Sequence, residues 1–151
     1  MARKVLLDAG LIGLGCSPAA PSFAAFESWL EGSTTDGTDV LIPDVTRFEV
    51  RRELLRLRAT AKLRQLDRFC DQFAAAPATA EAWDRAGEFW ALVRQAGKPT
   101  AAPDALDGDA ILAGIAATIG QPEDEVIVAS TNVVHLGRFP EVDARSWENI
   151  P

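Results

Sequence analysis

Three short apolar runs constrain this chain more than any other feature: Val5-Leu6-Leu7, Val40-Leu41-Ile42 and Val126-Ile127-Val128-Ala129. Each is too short for a helix, is rich in β-branched residues, and lacks the polar alternation of a half-exposed strand. Such runs suit strands buried on both faces, the situation of a parallel sheet covered by helices. They predict strands over residues 4–7, 39–42 and 126–129, with a further short strand over residues 76–79.

Helical patterns fill the intervals. Ser22 is placed to cap a helix running to about residue 31, with Phe23, Phe26, Trp29 and Leu30 on its inner side, followed by a polar loop over residues 32–38. A helix begins near Asp44 or Thr46, after Pro43, and takes its apolar side from Phe48, Leu54, Leu55 and Leu57. Helical spacing resumes over residues 61–75, and again from Thr79 or Ala80 to Gln95, where the Trp residues read as core. Gly97-Lys98-Pro99 stops that helix. Residues 101–106 read as a loop, and Asp107 as the cap of a helix over residues 108–119. Strands alternating with helices predict an α/β fold. With neither repeat, low-complexity tract nor linker in 151 residues, one domain spanning residues 1–151 is expected.

Composition narrows the function. A net charge of −7 argues against a generally basic nucleic-acid binder. The charge is unevenly spread, however. Arg47, Arg51, Arg52, Arg56, Arg58, Lys62, Arg64 and Arg68 lie in one segment, opposed there only by Glu49, Glu53 and Asp67. That segment reads equally as a solvated helix face or as a phosphate-binding surface. Cys16 and Cys70 make no disulfide framework, and a lone His135 completes no familiar zinc spacing with them; buried free thiols are expected. His135 itself reads as a hydrogen-bonded structural residue. Arg3-Lys4 and Leu14-Gly15-Cys16 faintly resemble a secretory or lipoprotein leader, but Asp8 interrupts the stretch. A cytoplasmic protein without a membrane span is expected.

The chemistry lies in acidic residues at matching places. Asp8 closes the first strand, Glu49 follows the second strand by one to two turns, and Asp109 falls in the first turn of a late helix. Ser130-Thr131-Asn132 ends the last clear strand. Ligands of open parallel sheets bind beyond the carboxyl ends of the strands, so these segments can deliver polar groups to one edge. Carboxylates gathered there repel one another unless a cation lies among them. Each residue also has a structural role open to it: Asp8 a turn, Glu49 a capping box with Thr46, Asp109 the helix dipole, Asp107 an N-cap, and Asn132 a turn.

In order and spacing, the chain resembles the PIN-domain ribonucleases, which include toxins of bacterial toxin–antitoxin pairs. The resemblance rests on Leu6-Leu7-Asp8, Ile42-Pro43-Asp44 leading into Glu49-Val50-Arg51-Arg52-Glu53-Leu54, the stretch from Ala105 to Ala113, Ser130 to Leu136, and the closing Trp147-Glu148-Asn149-Ile150. It implies a three-layer α/β/α domain with a mostly parallel central sheet. It further implies Mg²⁺ or Mn²⁺ held by Asp8, Glu49 and Asp109, hydrolysis of RNA to 5′-phosphate and 3′-hydroxyl ends, and a small antitoxin protein as partner. Single-stranded RNA suits a cleft best. Asn132 takes the fourth polar position, with Thr131 beside it and Asp107 as an adjacent acid; Arg47, Arg51, Arg52 and Arg56 are the candidate phosphate contacts. The family often dimerises, and the helix over residues 79–95 is a candidate surface for it. Two departures predict weaker cation binding. Asp8 is followed by Ala9-Gly10, where PIN toxins usually carry Thr or Ser and then Asn, and the fourth position is an amide.

Other readings remain open at this point. One is a PIN-fold module that binds RNA or a protein without cutting. Another is a phosphoryl-handling α/β protein, which lacks its supporting Lys after residues 126–129. A dinucleotide-binding fold lacks its complete glycine fingerprint.

Overall fold

A computed structural model describes residues 1–97 and 103–151. Five strands, β1 (Arg3–Leu7), β2 (Asp39–Pro43), β3 (Ala74–Ala76), β4 (Glu125–Ala129) and β5 (Asp143–Arg145), form one sheet in the order β3-β2-β1-β4-β5. All of its pairings are parallel. The expected three-layer α/β fold is thus present, with a sheet that is entirely rather than mostly parallel.

The period-two geometry of a strand divides the apolar runs between two cores. Val5, Leu7, Val40, Ile42, Ile127 and Ala129 pack on one face, against α1 (Ala9–Gly15), α2 (Phe23–Thr35) and α4 (Thr60–Cys70). Leu6, Leu41 and Val128 pack on the other, against α5 (Ala80–Gln95), α6 (Pro103–Thr118) and α7 (Val133–Leu136). The chain winds from β1 to β2 to β3 on one side and returns to β4 and β5 on the other. Its direction therefore reverses between β1 and β4, and a crevice opens at their carboxyl ends.

Several elements differ from expectation, each for a physical reason. Gly10, Gly13 and Gly15 lie in α1, which the Asp8 side chain caps by accepting from the Leu11 N–H. Helix α2 runs through Gly32 to Thr35, where a loop is expected; the Thr34 and Thr35 hydroxyls bond back to Leu30 and Glu31 carbonyls. The Ala-rich stretch after Cys70 reads as helix by propensity, yet Ala74–Ala76 pairs with Leu41–Pro43 as a strand; sheet pairing overrides local preference. Strand β5 is short and charged, and it carries no sequence signal. Helix α6 starts at Pro103, not Gly108, so Asp107 lies inside it and Asp109 in its second turn. Lys98, Pro99 and the start of the expected 101–106 loop lie outside the described residues.

The apolar side assigned to the helix after Pro43 is only partly buried. Leu54 is in the core, whereas Phe48, Leu55 and Leu57 are exposed. Trp83 and Trp90 are also exposed, at 55% and 37%, while Trp29 and Trp147 pack against Phe26. Cys16 and Cys70 are buried free thiols, each pushed up to about 11 chiefly by burial. Among the described residues, no helix is long and apolar enough to cross a membrane.

One side chain ties the second helical segment to the sheet. In α3 (Asp44–Arg56), the buried Thr46 hydroxyl bonds the carbonyls of Leu7 (3.0 Å) and Pro43 (3.1 Å). The Thr46–Glu49 capping box therefore does not form, and Glu49 is left free for another role. Thr46→Val keeps the shape and removes the donor. It is expected to cost about 1–3 kcal/mol, measured as a lower urea midpoint with an unchanged m-value.

Candidate active site

The crevice between β1 and β4 is organised around Asp8. Leu7 is in register with Ala129, so Asp8 and Ser130 leave the sheet side by side. Asp8 is 7% exposed. Its Oδ1 accepts from the Leu11 N–H (2.9 Å), and its Oδ2 accepts from the Ser130 hydroxyl (2.7 Å) and the Thr131 N–H (2.9 Å), with the Thr131 hydroxyl at 3.4 Å. Ser130 Oγ in turn accepts from the Asn132 N–H (2.7 Å). Hydrogen bonds to a charged group contribute about 1.5–3 kcal/mol each. Their sum is of the order of the several kcal/mol that burying an ion costs, so this cradle holds the carboxylate in place. Asp8 is therefore both a helix cap and the inner wall of the crevice.

Glu49 reaches the same region from the second turn of α3. Helix α6 passes so close that a Cβ on Gly108 would lie 2.9–3.1 Å from the Glu49 carboxylate. Only glycine at that position leaves the carboxylate where it is. Burial raises the Glu49 pKa above the ordinary value; the charges of Asp109 and Asp8 add to the rise, and Arg52 opposes it. Asp109, one position after Gly108, is likewise raised by burial; Arg138 and His135 pull it back, and Asp8 pushes it up. The expected acids thus share one electrostatic neighbourhood. They do not form a closed cage, for among the described residues no group of three or more His, Cys, Asp or Glu side chains converges as a ready metal site.

Sequence reasoning missed Arg138. Its guanidinium lies 3.7 Å from Asp109, and its Nε donates to the His135 carbonyl at 2.9 Å. No sequence pattern announced it, since it lies just past the short helix α7. His135 is half-buried, and its charge acts on Asp109, so it belongs to the site's surroundings rather than to the core alone.

The remaining candidates divide. Asp107 is exposed and lines a cleft of about 500 Å³ with Phe48, Glu49, Arg52, Trp83 and Gly108. Arg52 also lies over the Phe48 ring, 5.3 Å from its centre. Arg47 is paired with Asp67 (3.0 Å) and Asp71 (3.6 Å), and Arg56 with Glu53. Arg51 is exposed. Of the four arginines proposed for phosphate, Arg52 is the one that lines the cleft with the acids. Thr131 and Asn132 are exposed at the crevice rim, and Asn132 caps α7 without a side-chain bond.

Burial of the Glu49 carboxylate, with the neighbouring acids adding to it, has a measurable consequence. Glu49 holds a proton more tightly folded than unfolded, so stability falls as pH rises from the ordinary carboxylate range through the raised value. Glu49→Gln removes the charge. It is expected to raise Tm at pH 7 in EDTA, with the gain lost by about pH 4, where the wild-type carboxyl is protonated. Calorimetry at the two pH values measures this, and an unchanged Tm at pH 7 would contradict the raised Glu49 pKa.

Neither a protein-family model nor a curated protein sequence matches the chain. Solved structures do. A chain of VapBC2 from Rickettsia felis, bound to a DNA fragment from their promoter, aligns with a TM-score of 0.76 at 14% identity, over 95% of this chain and 98% of that one. A chain of DNA-bound VapBC from Salmonella typhimurium gives 0.70 at 18% identity, over 97% and 99%. One from FitAcB of Neisseria gonorrhoeae gives 0.67 at 17% identity, also over 97% and 99%. At such identities the likeness is one of fold, and that fold is the PIN-like α/β/α arrangement.

Proposed function

We propose that this protein is a divalent-cation-dependent endoribonuclease of the PIN type, the toxin half of a toxin–antitoxin pair. One observation carries the reading. Three separate elements bring Asp8, Glu49 and Asp109 to the sheet's carboxyl edge, where burial and mutual repulsion raise two of them. A structural role alone gives no reason to gather like charges at a crevice; a cation does.

The donor set suits a hard cation. All three groups offer carboxylate oxygen, and Mg²⁺ commonly keeps several waters and takes only one or two carboxylates directly. An open cluster therefore fits Mg²⁺ or Mn²⁺ better than a closed cage would. Asp8 and Asp109 would hold the ion, with Glu49 joining through water. Bound there, such an ion lowers the pKa of an attacking water and offsets charge on the phosphate. The protein's own groups do the rest. The cradle of Leu11, Ser130 and Thr131 fixes the Asp8 carboxylate. Glu49, half-buried on α3 beside the cleft, is placed to orient the attacking water. Arg52 holds a backbone phosphate beside it. Arg138 keeps Asp109 from adding its full charge to the repulsion.

The aromatic and acidic cleft also suits the partner. Phe48 and Trp83 beside Asp44 and Asp107 fit an apolar and basic tail of a small antitoxin. The exposed face of α5 is the candidate surface for a homodimer. A second reading, a PIN-fold module that binds without cutting, is motivated by Ala9-Gly10 after Asp8 and by an amide, Asn132, at the fourth position.

Labelled single-stranded RNA, incubated with the purified protein and Mg²⁺, Mn²⁺ or EDTA, separates the two. Cleavage that requires metal and falls by at least about 10²-fold in Asp8→Asn and Asp109→Asn is the expected result. Arg52→Ala should weaken RNA binding more than Arg47→Ala or Arg56→Ala. RNA binding without cleavage, unchanged by the two acid substitutions, would establish the second reading instead.

A further inference from the structure

After Asp8 the chain lacks the hydroxyl and the polar side chain that PIN toxins usually carry at the next two positions. The structure contains a replacement. A Cβ built on Gly10 would lie 2.2 Å from Thr131 Oγ1, 3.0 Å from its Cγ2 and 3.1 Å from its Cβ. The volume that a side chain at position 10 would fill is therefore taken by Thr131, which comes from the end of β4 and not from the first strand's own turn. We propose that Thr131 is a positioning residue that supplies the hydroxyl beside Asp8, and that Gly10 is the condition for its being there.

The geometry gives Thr131 two holds on the same atom. Its N–H donates to Asp8 Oδ2 at 2.9 Å, and its hydroxyl lies 3.4 Å from that oxygen. With the Ser130 hydroxyl at 2.7 Å, Oδ2 is fully engaged, since a carboxylate oxygen accepts about two strong bonds. Among the described residues, Oδ1 accepts only from the Leu11 N–H and keeps a lone pair. The Ser130 hydroxyl and the Thr131 N–H thus hold one carboxylate oxygen and leave the other for the crevice, with the Thr131 hydroxyl as a longer third contact beside them. Thr131 itself is exposed, while its hydroxyl contact with Asp8 is part-buried.

Glycine at this place runs against helix preference. Gly10 is the second residue of α1, where alanine is the better helix former. Alanine is accommodated only if Thr131 turns its hydroxyl away or the backbones part. An effect opposite in sign to propensity is the signature of the pair.

The inference rests on the nuclease reading for its purpose, but the pairing is testable without it. Thermal unfolding of wild type, Gly10→Ala, Thr131→Ala and the double variant gives the cycle. Gly10→Ala is expected to lower Tm in the wild-type background, and the loss to shrink or reverse in the Thr131→Ala background. Additive effects, or a higher Tm for Gly10→Ala alone, would overturn the proposal. Mn²⁺ titration by calorimetry tests the hydroxyl's purpose. Thr131→Val should bind roughly 10-fold more weakly, as partners of metal-ligating groups commonly do, while Thr131→Ser should bind as wild type does. Equal binding by Thr131→Val and wild type would overturn the role of the hydroxyl. Should wild type bind no Mn²⁺ while the Tm cycle stays non-additive, the Gly10–Thr131 pairing stands and the nuclease reading falls.

Discussion

A carboxylate at a sheet edge can be buried only where donors converge on it, and Asp8 is the point on which this molecule turns. Its partners come from the helix it caps and from the strand beside it. That one group therefore fixes the start of α1, the seam between β1 and β4, and the floor of the crevice. The parallel register makes this possible, because Leu7 opposite Ala129 brings Asp8 level with Ser130. Thr46 adds the third element, tying α3 to the Leu7 carbonyl one residue before Asp8. Glu49 then follows on the same helix, so the placement of one acid depends on the placement of the other.

The helices on the second face adapt to these acids. Gly108 lets α6 approach the Glu49 carboxylate closely, and Asp109 rides in on the next residue. The stretch Asp107-Gly108-Asp109 thus combines a glycine needed for space with acids on either side. One acid faces the open cleft and the other meets Arg138. Charge is handled in the same local way throughout, with Arg52 offsetting Glu49 and Arg138 offsetting Asp109. The net charge of the chain says little about this site.

Much of this was legible in the residues, and the remainder was hidden for definite reasons. Val5-Leu6-Leu7, Val40-Leu41-Ile42 and Val126–Ala129 declared a parallel sheet because burial on both faces leaves no polar positions. The acids at the ends of these runs followed from topology. What was not legible depends on contacts far apart in sequence. Ala74–Ala76 is a strand only because Leu41–Pro43 lies beside it. Asp143–Arg145 carries no strand signal, yet it closes the sheet's other edge. Thr46 looked like a capping residue because the local pattern fits one; its hydroxyl goes instead to a carbonyl 39 residues earlier. Arg138 was invisible as a site residue, since an arginine past a short helix has no pattern to announce it. Trp83 and Trp90 were read as core by type, yet they lie on the flank of α5, along an open groove against α6 beside Ala110 and Ile111.

The bond between Ser130 and Asp8 spans 122 residues. A ribosome adding roughly 5–20 residues per second takes about 6–24 s to cover that interval. Throughout that time the first strand has neither β4 nor the hydroxyls at its end, and the central seam of the sheet cannot close. A chain still being translated therefore carries its acids without the cradle that organises them. Whatever this crevice does, it begins doing only after β4 and the residues just past it have been made and can reach Asp8.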